Sequence, residues 1–167
     1  MDIVVEKTRT CFFTGHRKLS KDKTDIIKSK LCEHIEDMII RYDVKNFIAG
    51  GARGFDTLAA EAVIKIREKY PHIKLYLYLP CYGQEKFWTN LQKYRYRLII
   101  SQADSYIYVT EGEYTEKCMM LRNKKMTEDS SFCIAFCILS SSGTGATLRN
   151  ANFAGIKVYN IADEIYE

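Results

Sequence analysis

The sequence predicts an α/β fold: a Rossmann-like three-layer α/β/α arrangement with a mostly parallel sheet. Short apolar runs alternate with longer stretches of helical character from one end of the 167 residues to the other. Such β-α order feeds successive strands into one sheet and places helices on both faces. Five predicted strand exits carry glycine, and right-handed crossovers gather those exits at one edge of the sheet. The length, with 47% hydrophobic and 28% charged residues, suits one domain over residues 1–167 with a core of useful size.

Thr10-Cys11-Phe12-Phe13 reads as the first strand. A long amphipathic helix follows from Lys21 to Tyr42, with Ser20 as its expected N-cap and Ile27, Leu31, Ile35, Met38 and Ile39 at helical spacing. Lys45 to Ala49 is the second strand and Thr57 to Tyr70 the second helix. The third strand runs from Ile73 to Leu79, and Pro80 marks its end. Gln84 to Ile100 reads as helix, Ser105 to Val109 as strand and Thr115 to Thr127 as helix. Phe132 to Leu139 is an apolar strand, Thr144 to Ala154 a helix and Lys157 to Asn160 a last short strand.

Composition narrows the function classes. A formal net charge of +4 permits an anionic ligand or nucleic acid and demands neither. The six cysteines show no CxxC pair and no zinc-site spacing, so they read as reduced thiols in apolar elements, and no metal is expected. Met1 to Lys7 lacks a signal-peptide pattern, and no apolar run reaches membrane-spanning length. The expectation is a cytoplasmic protein with no membrane partner.

In open α/β sheets, ligands bind beyond the carboxyl ends of the strands. The exits there read Thr14-Gly15-His16-Arg17, Gly50-Gly51-Ala52-Arg53-Gly54, Pro80-Cys81-Tyr82-Gly83-Gln84, Thr110-Glu111-Gly112 and Ser140-Ser141-Ser142-Gly143-Thr144-Gly145. Glycine lets backbone N–H groups converge, and a following helix aims its positive end at the same point. The expected site is therefore an anion pocket. Arg17 and Arg53 bring planar paired donors suited to phosphate, against the alternative of surface salt bridges. Ser140, Ser141, Ser142 and Thr144 bring hydroxyls to a helix start, where they bind an anion, cap the helix, or both. Asp56 either caps its helix or meets a ribose hydroxyl, and His16 is either a general base or a hydrogen-bonding fixture.

Two basic segments have a nucleic-acid reading. Phe87 to Arg97 interleaves rings with Lys93, Arg95 and Arg97, as single-strand binding by stacking and phosphate contact would use. The favoured alternative packs the rings on the sheet and turns the cations to water. Arg122-Asn123-Lys124-Lys125 is read in the same way.

Taken together, these loops resemble the SLOG superfamily of Rossmann-like domains, which unites DNA-processing protein A with the Lonely Guy phosphoribohydrolases. Within it the chain is most similar to a family of small bacterial proteins typified by YpsA. The resemblance rests on Thr14-Gly15-His16-Arg17, on Gly50 to Asp56, and on Pro80 to Gln84 with Trp88; Asn123, Met126 and Gly143-Thr144 fit as well. It spans Thr10 to Ile161.

The resemblance implies binding of a nucleotide or nucleotide derivative, NAD-like or ADP-ribose-like, in bacterial stress or growth control. Two departures stand out. The family's late loop reads Gly-Gly-Thr where this chain has Ser142-Gly143-Thr144-Gly145. The phosphoribohydrolase pattern GGxGTxxE, aligned on Gly143-Thr144, places Thr147 where its glutamate stands. Met120 to Lys124 is similar to that branch's Met-x-x-Arg-Lys signature, with Asn123 in place of lysine. Cleaving an N-glycosidic bond needs an acid or base, so the loss of the glutamate favours binding over turnover. Three functions are therefore weighed: binding or sensing of a phosphate-bearing nucleotide, nucleotide N-glycosidase activity, and single-strand nucleic-acid binding, the last disfavoured by the mild charge. Self-association is left open.

Overall fold

The computed structural model describes residues 2–166. Strands β1 (Thr10–Gly15), β2 (Asn46–Ala49), β3 (Lys74–Leu79), β4 (Ser105–Tyr108), β5 (Phe132–Phe136) and β6 (Lys157–Asn160) form one sheet in the order β4-β3-β2-β1-β5-β6. Every neighbouring pair is parallel. Helices α1 (Thr24–Tyr42), α2 (Phe55–Arg67), α3 (Asn90–Gln102), α4 (Glu116–Glu128), α5 (Gly143–Phe153) and α6 (Ile161–Ile165) flank it. This is the expected Rossmann-like α/β fold.

The two-residue period of a strand sends alternate side chains to opposite faces. Phe13, Phe47, Leu75 and Ile134 therefore pack with α1, α2, α3 and α6 on one side. Phe12, Ile48, Tyr78 and Cys133 pack with Met126 of α4 and Ala151 of α5 on the other. All five apolar positions of the α1 stripe are buried.

Several boundaries move, each for a local reason. The helix expected from Gln84 begins at Asn90, because Thr89 and Gln92 form a capping box: the Gln92 amide donates to Thr89 Oγ1 at 3.2 Å and the Thr89 amide to Gln92 Oε1 at 3.0 Å. The fifth strand ends at Phe136 rather than Leu139. There the Asn160 carboxamide takes over the ladder, accepting the Cys137 amide at 3.0 Å and donating to its carbonyl at 3.0 Å. Asn160 Oδ1 also accepts the Ala162 amide at 3.2 Å, which starts α6, a helix too short to announce itself by periodicity. Ser20 makes no side-chain cap bond; a 3-10 turn over Lys21–Lys23 precedes α1 instead.

Sequential strands step from β1 to β4 in one direction, and the chain then returns to lay β5 on the other side of β1. The order reverses between β1 and β5, and the loops leaving these two strands diverge to form a crevice. Topology alone thus makes the β1 and β5 exits the candidate site.

Candidate functional site

The crevice is closed at its base by His16. Its amide donates to Phe136 O at 3.2 Å, and its ring meets the Phe136 ring edge-on. Nε2 accepts the amides of Ile138 at 2.8 Å and Leu139 at 3.3 Å. An amide only donates, so Nε2 keeps its lone pair and the proton sits on Nδ1. Burial also pulls the imidazole below its ordinary value. Of the two roles expected for His16, the geometry is that of a fixture: its basic nitrogen is already engaged.

The β5 exit is pinned at further points. Arg149 Nη1 donates to Ser140 O at 2.5 Å, and Ser142 Oγ donates to Leu139 O at 2.6 Å while accepting the Gly145 amide at 3.1 Å. Ser142 is thereby the N-cap of α5. None of these bonds engages the amides of Ser141, Gly143 and Thr144, so the positive end of α5 keeps donors in hand. Thr147 is buried, and its hydroxyl donates to Gly143 O at 3.1 Å.

The Gly50–Gly54 loop is built differently from an open cradle. Arg122, from α4, is 4% exposed, and its Nη1 donates to Gly50 O and lies 3.5 Å from Tyr78 O. Asp56, also 4% exposed, accepts the Ala52 amide at 3.2 Å, so it fastens the loop rather than capping α2. Burial raises the Asp56 carboxyl while the Arg122 charge opposes that rise. Burial likewise lowers Arg122, and Asp56 opposes it. Gly50 lies where these two side chains meet, since an added Cβ would overlap Arg122 Nη1 and stand 2.8 Å from Asp56 Oδ2. Gly54 has φ +73° and faces the β1 exit, where a Cβ would overlap the Arg17 carbonyl and lie 2.6 Å from His16 O. These glycines weld one loop to another.

The sequence-predicted residues fall into three places. Thr14, Gly15, His16, Arg17 and Asp56, together with Ser141, Ser142, Gly143 and Thr144, line one groove of about 1060 Å³. Arg53 stands instead in an adjoining groove of about 520 Å³, its guanidinium 5.4 Å from the centre of the Trp88 ring. Gly50, Gly51, Gly54 and Gly145 line neither groove. The two grooves share Arg17, Ala52, Tyr114 and Met119, so they adjoin. Arg17 and Arg53 take part in no ion pair among the described residues, which removes the salt-bridge alternative for both. Arg17, Lys18, Arg122, Lys124 and Arg149 outnumber Asp56, Glu116 and Glu128 around the larger groove, leaving it net positive.

Two features escaped the sequence. Arg122 read as part of an exposed basic cluster; the available signal was its place between Cys118 and Met126, which share its buried face of α4. The aromatic segment divides rather than packing as a whole. Tyr96 is buried edge-on to Trp88, and Arg95 pairs with Glu61, but Phe87 is 89% exposed and Tyr94 63%. Tyr82, Phe87, Trp88 and Tyr114 give the smaller groove an aromatic lining. Among the described residues no helix is long and apolar enough to cross a membrane, and no group of three His, Cys, Asp or Glu side chains converges as a metal site would.

The chain has relatives among known proteins. The family model YpsA, described as the YspA SLOG family, matches residues 11–143. The chain belongs to the YpsA SLOG family. One relative is the uncharacterized SPbeta prophage-derived protein YoqJ of Bacillus subtilis (strain 168), 34% identical over 136 residues that cover 75% of this chain and 80% of YoqJ. Another is a UPF0398 protein of Bacillus thuringiensis (strain Al Hakam), 30% identical over 110 residues, covering 65% of this chain and 57% of that relative. Among solved structures, DNA processing protein A from Helicobacter pylori superposes with a TM-score of 0.63 at 16% identity, over 91% of this chain and 64% of that one. That likeness concerns the fold. This SLOG chain thus shares its framework with a longer protein.

Proposed function

We propose that this chain binds or senses a phosphate-bearing nucleotide or nucleotide derivative, as a binding domain rather than a catalyst. Its phosphate lies between Arg17 and the start of α5, and its ring reaches toward the aromatic groove. The observation that carries this reading is the meeting, at the point where strand order reverses, of an uncommitted Arg17 with the uncapped amides of Ser141, Gly143 and Thr144. The two adjoining grooves offer room for a ligand of dinucleotide size, such as NAD or ADP-ribose. Binding without turnover suits the residues present: Thr147 offers a bonded hydroxyl where a phosphoribohydrolase carries a carboxylate, and Nε2 of His16 is occupied. A ligand-sensing role in bacterial stress or growth control is consistent with that.

Calorimetric titration with ADP-ribose and NAD tests the reading. Arg17→Ala removes a charge-assisted contact and is expected to weaken binding by about 10- to 100-fold. Saturation at about a hundred times Kd adds roughly 2.7 kcal/mol of stability to the native chain, visible as a rise in Tm. The proposal fails if no nucleotide shifts Tm, or if Arg17→Ala binds as the parent does. Release of free base during the same incubation would restore the glycosidase alternative.

A second reading, single-stranded nucleic-acid binding, is favoured by one observation: Phe87 and Tyr94 present their rings to solvent beside Lys86 and Arg97. DNA processing protein A from Helicobacter pylori, whose fold is shared, binds single-stranded DNA. On this reading a labelled oligothymidine binds at low salt, weakens steeply as salt rises, and loses about 5- to 100-fold in affinity with Tyr94→Ala. Anisotropy that stays flat at low salt would reject it.

A further inference from the structure

We infer that His16 is a proton-operated latch on the β5 exit: protonating Nε2 removes the acceptor that holds the Ile138 and Leu139 amides, loosens the loop leading to Ser142, and weakens anion binding in the crevice. This rests on the nucleotide-binding reading for its last step only. The latch itself stands on geometry.

One nitrogen receives two backbone amides from residues 122 and 123 positions away, so a single proton breaks both contacts at once. An imidazolium carries a donor on each nitrogen, and a donor facing two N–H groups is repelled. The other ties of the loop, Asn160 to Cys137, Arg149 to Ser140, and the Ser142 amide and hydroxyl to Leu139 O, engage none of the released amides and do not replace their acceptor. The titratable and charged groups sharing the groove with His16 are Arg17 and Lys18 on its own loop, Asp56 from α2, Tyr114 just before α4, Glu116, Arg122, Lys124 and Glu128 from α4, and Arg149 from α5. On β5 the titratable group is the Cys133 thiol, and just beyond its end stands the Cys137 thiol. Among the described residues no carboxylate pairs with His16, so none supports the imidazolium; burial lowers its pKa from the ordinary 6.5. The neutral ring is therefore favoured in the native state. Its contribution is fully present above the unfolded value of about 6.5 and is lost as pH falls through that value toward the lower native one.

Amide hydrogen exchange and imidazole 15N shifts, measured by NMR at pH 7.5 and pH 5.0, test the latch without any ligand. The protection factors of Ile138 and Leu139 are expected to drop by about tenfold for each pH unit between about 6.5 and the lower native pKa and to level off below it, while the Phe13 amide in β1 holds. In His16→Gln the side-chain oxygen accepts but does not titrate, and protection is expected to be flat across the same range. The 15N shifts of the parent chain report the same protonation should the variant fold poorly. Undiminished Ile138 protection at a pH where the shifts show His16 protonated overturns the latch.

ADP-ribose, whose pyrophosphate keeps its charge over this range, then reads the effect on binding. Affinity should fall with acid in the parent chain and stay level in His16→Gln. An equal fall in both assigns the effect to another group, Asp56 foremost, and removes His16 from control of the site. Absence of binding at either pH defeats the nucleotide reading, while the exchange experiment still decides the latch.

Discussion

Arg122→Met is expected to lower the free energy of unfolding by about 3–5 kcal/mol, the cost of stripping a buried charge of its partner. The methionine fills much of the volume but returns nothing to Gly50 O and Tyr78 O, which lose a donor in a dry setting. It also removes the cation that opposes the desolvation of Asp56. The acid response carries a second signature. Burial raises the Asp56 pKa in the native state, so the native chain binds that proton more tightly than the unfolded one. Its contribution to stability therefore rises as pH falls from the native value toward 3.8. Without Arg122 the native value climbs higher still, and the deficit of the variant should shrink on mild acidification. Urea unfolding at pH 7.5 and pH 5.0 measures both effects. A loss below about 1 kcal/mol at neutral pH, the size of an exposed ion pair, would show that Arg122 is not the anchor of the loop.

Gly54→Ala is expected to cost about 2–6 kcal/mol, the sum of backbone strain and overpacking. Its φ of +73° with ψ of −121° is a conformation that side chains resist. The obstacle to a Cβ is the main chain of His16 and Arg17, which cannot rotate aside as a side chain would. The displacement would reach the β1 exit directly, because the Phe55 amide donates to His16 O at 3.1 Å. Gly143→Ala is the control: a Cβ there meets nothing within 4 Å, and its stability is expected to stay within about 1 kcal/mol of the parent. Equal thermal midpoints for the two variants would remove the claim that Gly54 is held by loop-to-loop packing.

The distinction between these glycines was not legible in the sequence, where both punctuate a strand exit in the same way. What was legible follows from local periodicity. The α1 stripe from Ile27 to Ile39 is buried as its spacing required. The alternation of apolar runs and helical stretches pointed to a parallel sheet, since parallel neighbours need a crossover connection and a helix supplies it. The Thr14–Arg17 and Ser141–Thr144 motifs likewise face one groove, because both follow strands that point the same way.

Strand order, by contrast, belongs to the tertiary structure. Nothing local says that β5 returns to the far side of β1, yet that reversal brings His16 to Ile138 and creates the crevice. The same holds for Arg122, whose partners Gly50 and Tyr78 lie 72 and 44 residues earlier in the chain. Helical spacing places the arginine on the inner face of α4, but only the carbonyls and carboxylate waiting there make burial of its charge tolerable. Sequence by itself determined most of the elements and the alternation that makes the sheet parallel; the packing of distant loops decided which glycines carry the framework and which side chains stay unpaired at the strand exits. The physical reason is that periodicity records a residue's neighbours along the chain, whereas desolvation and charge depend on its neighbours in space.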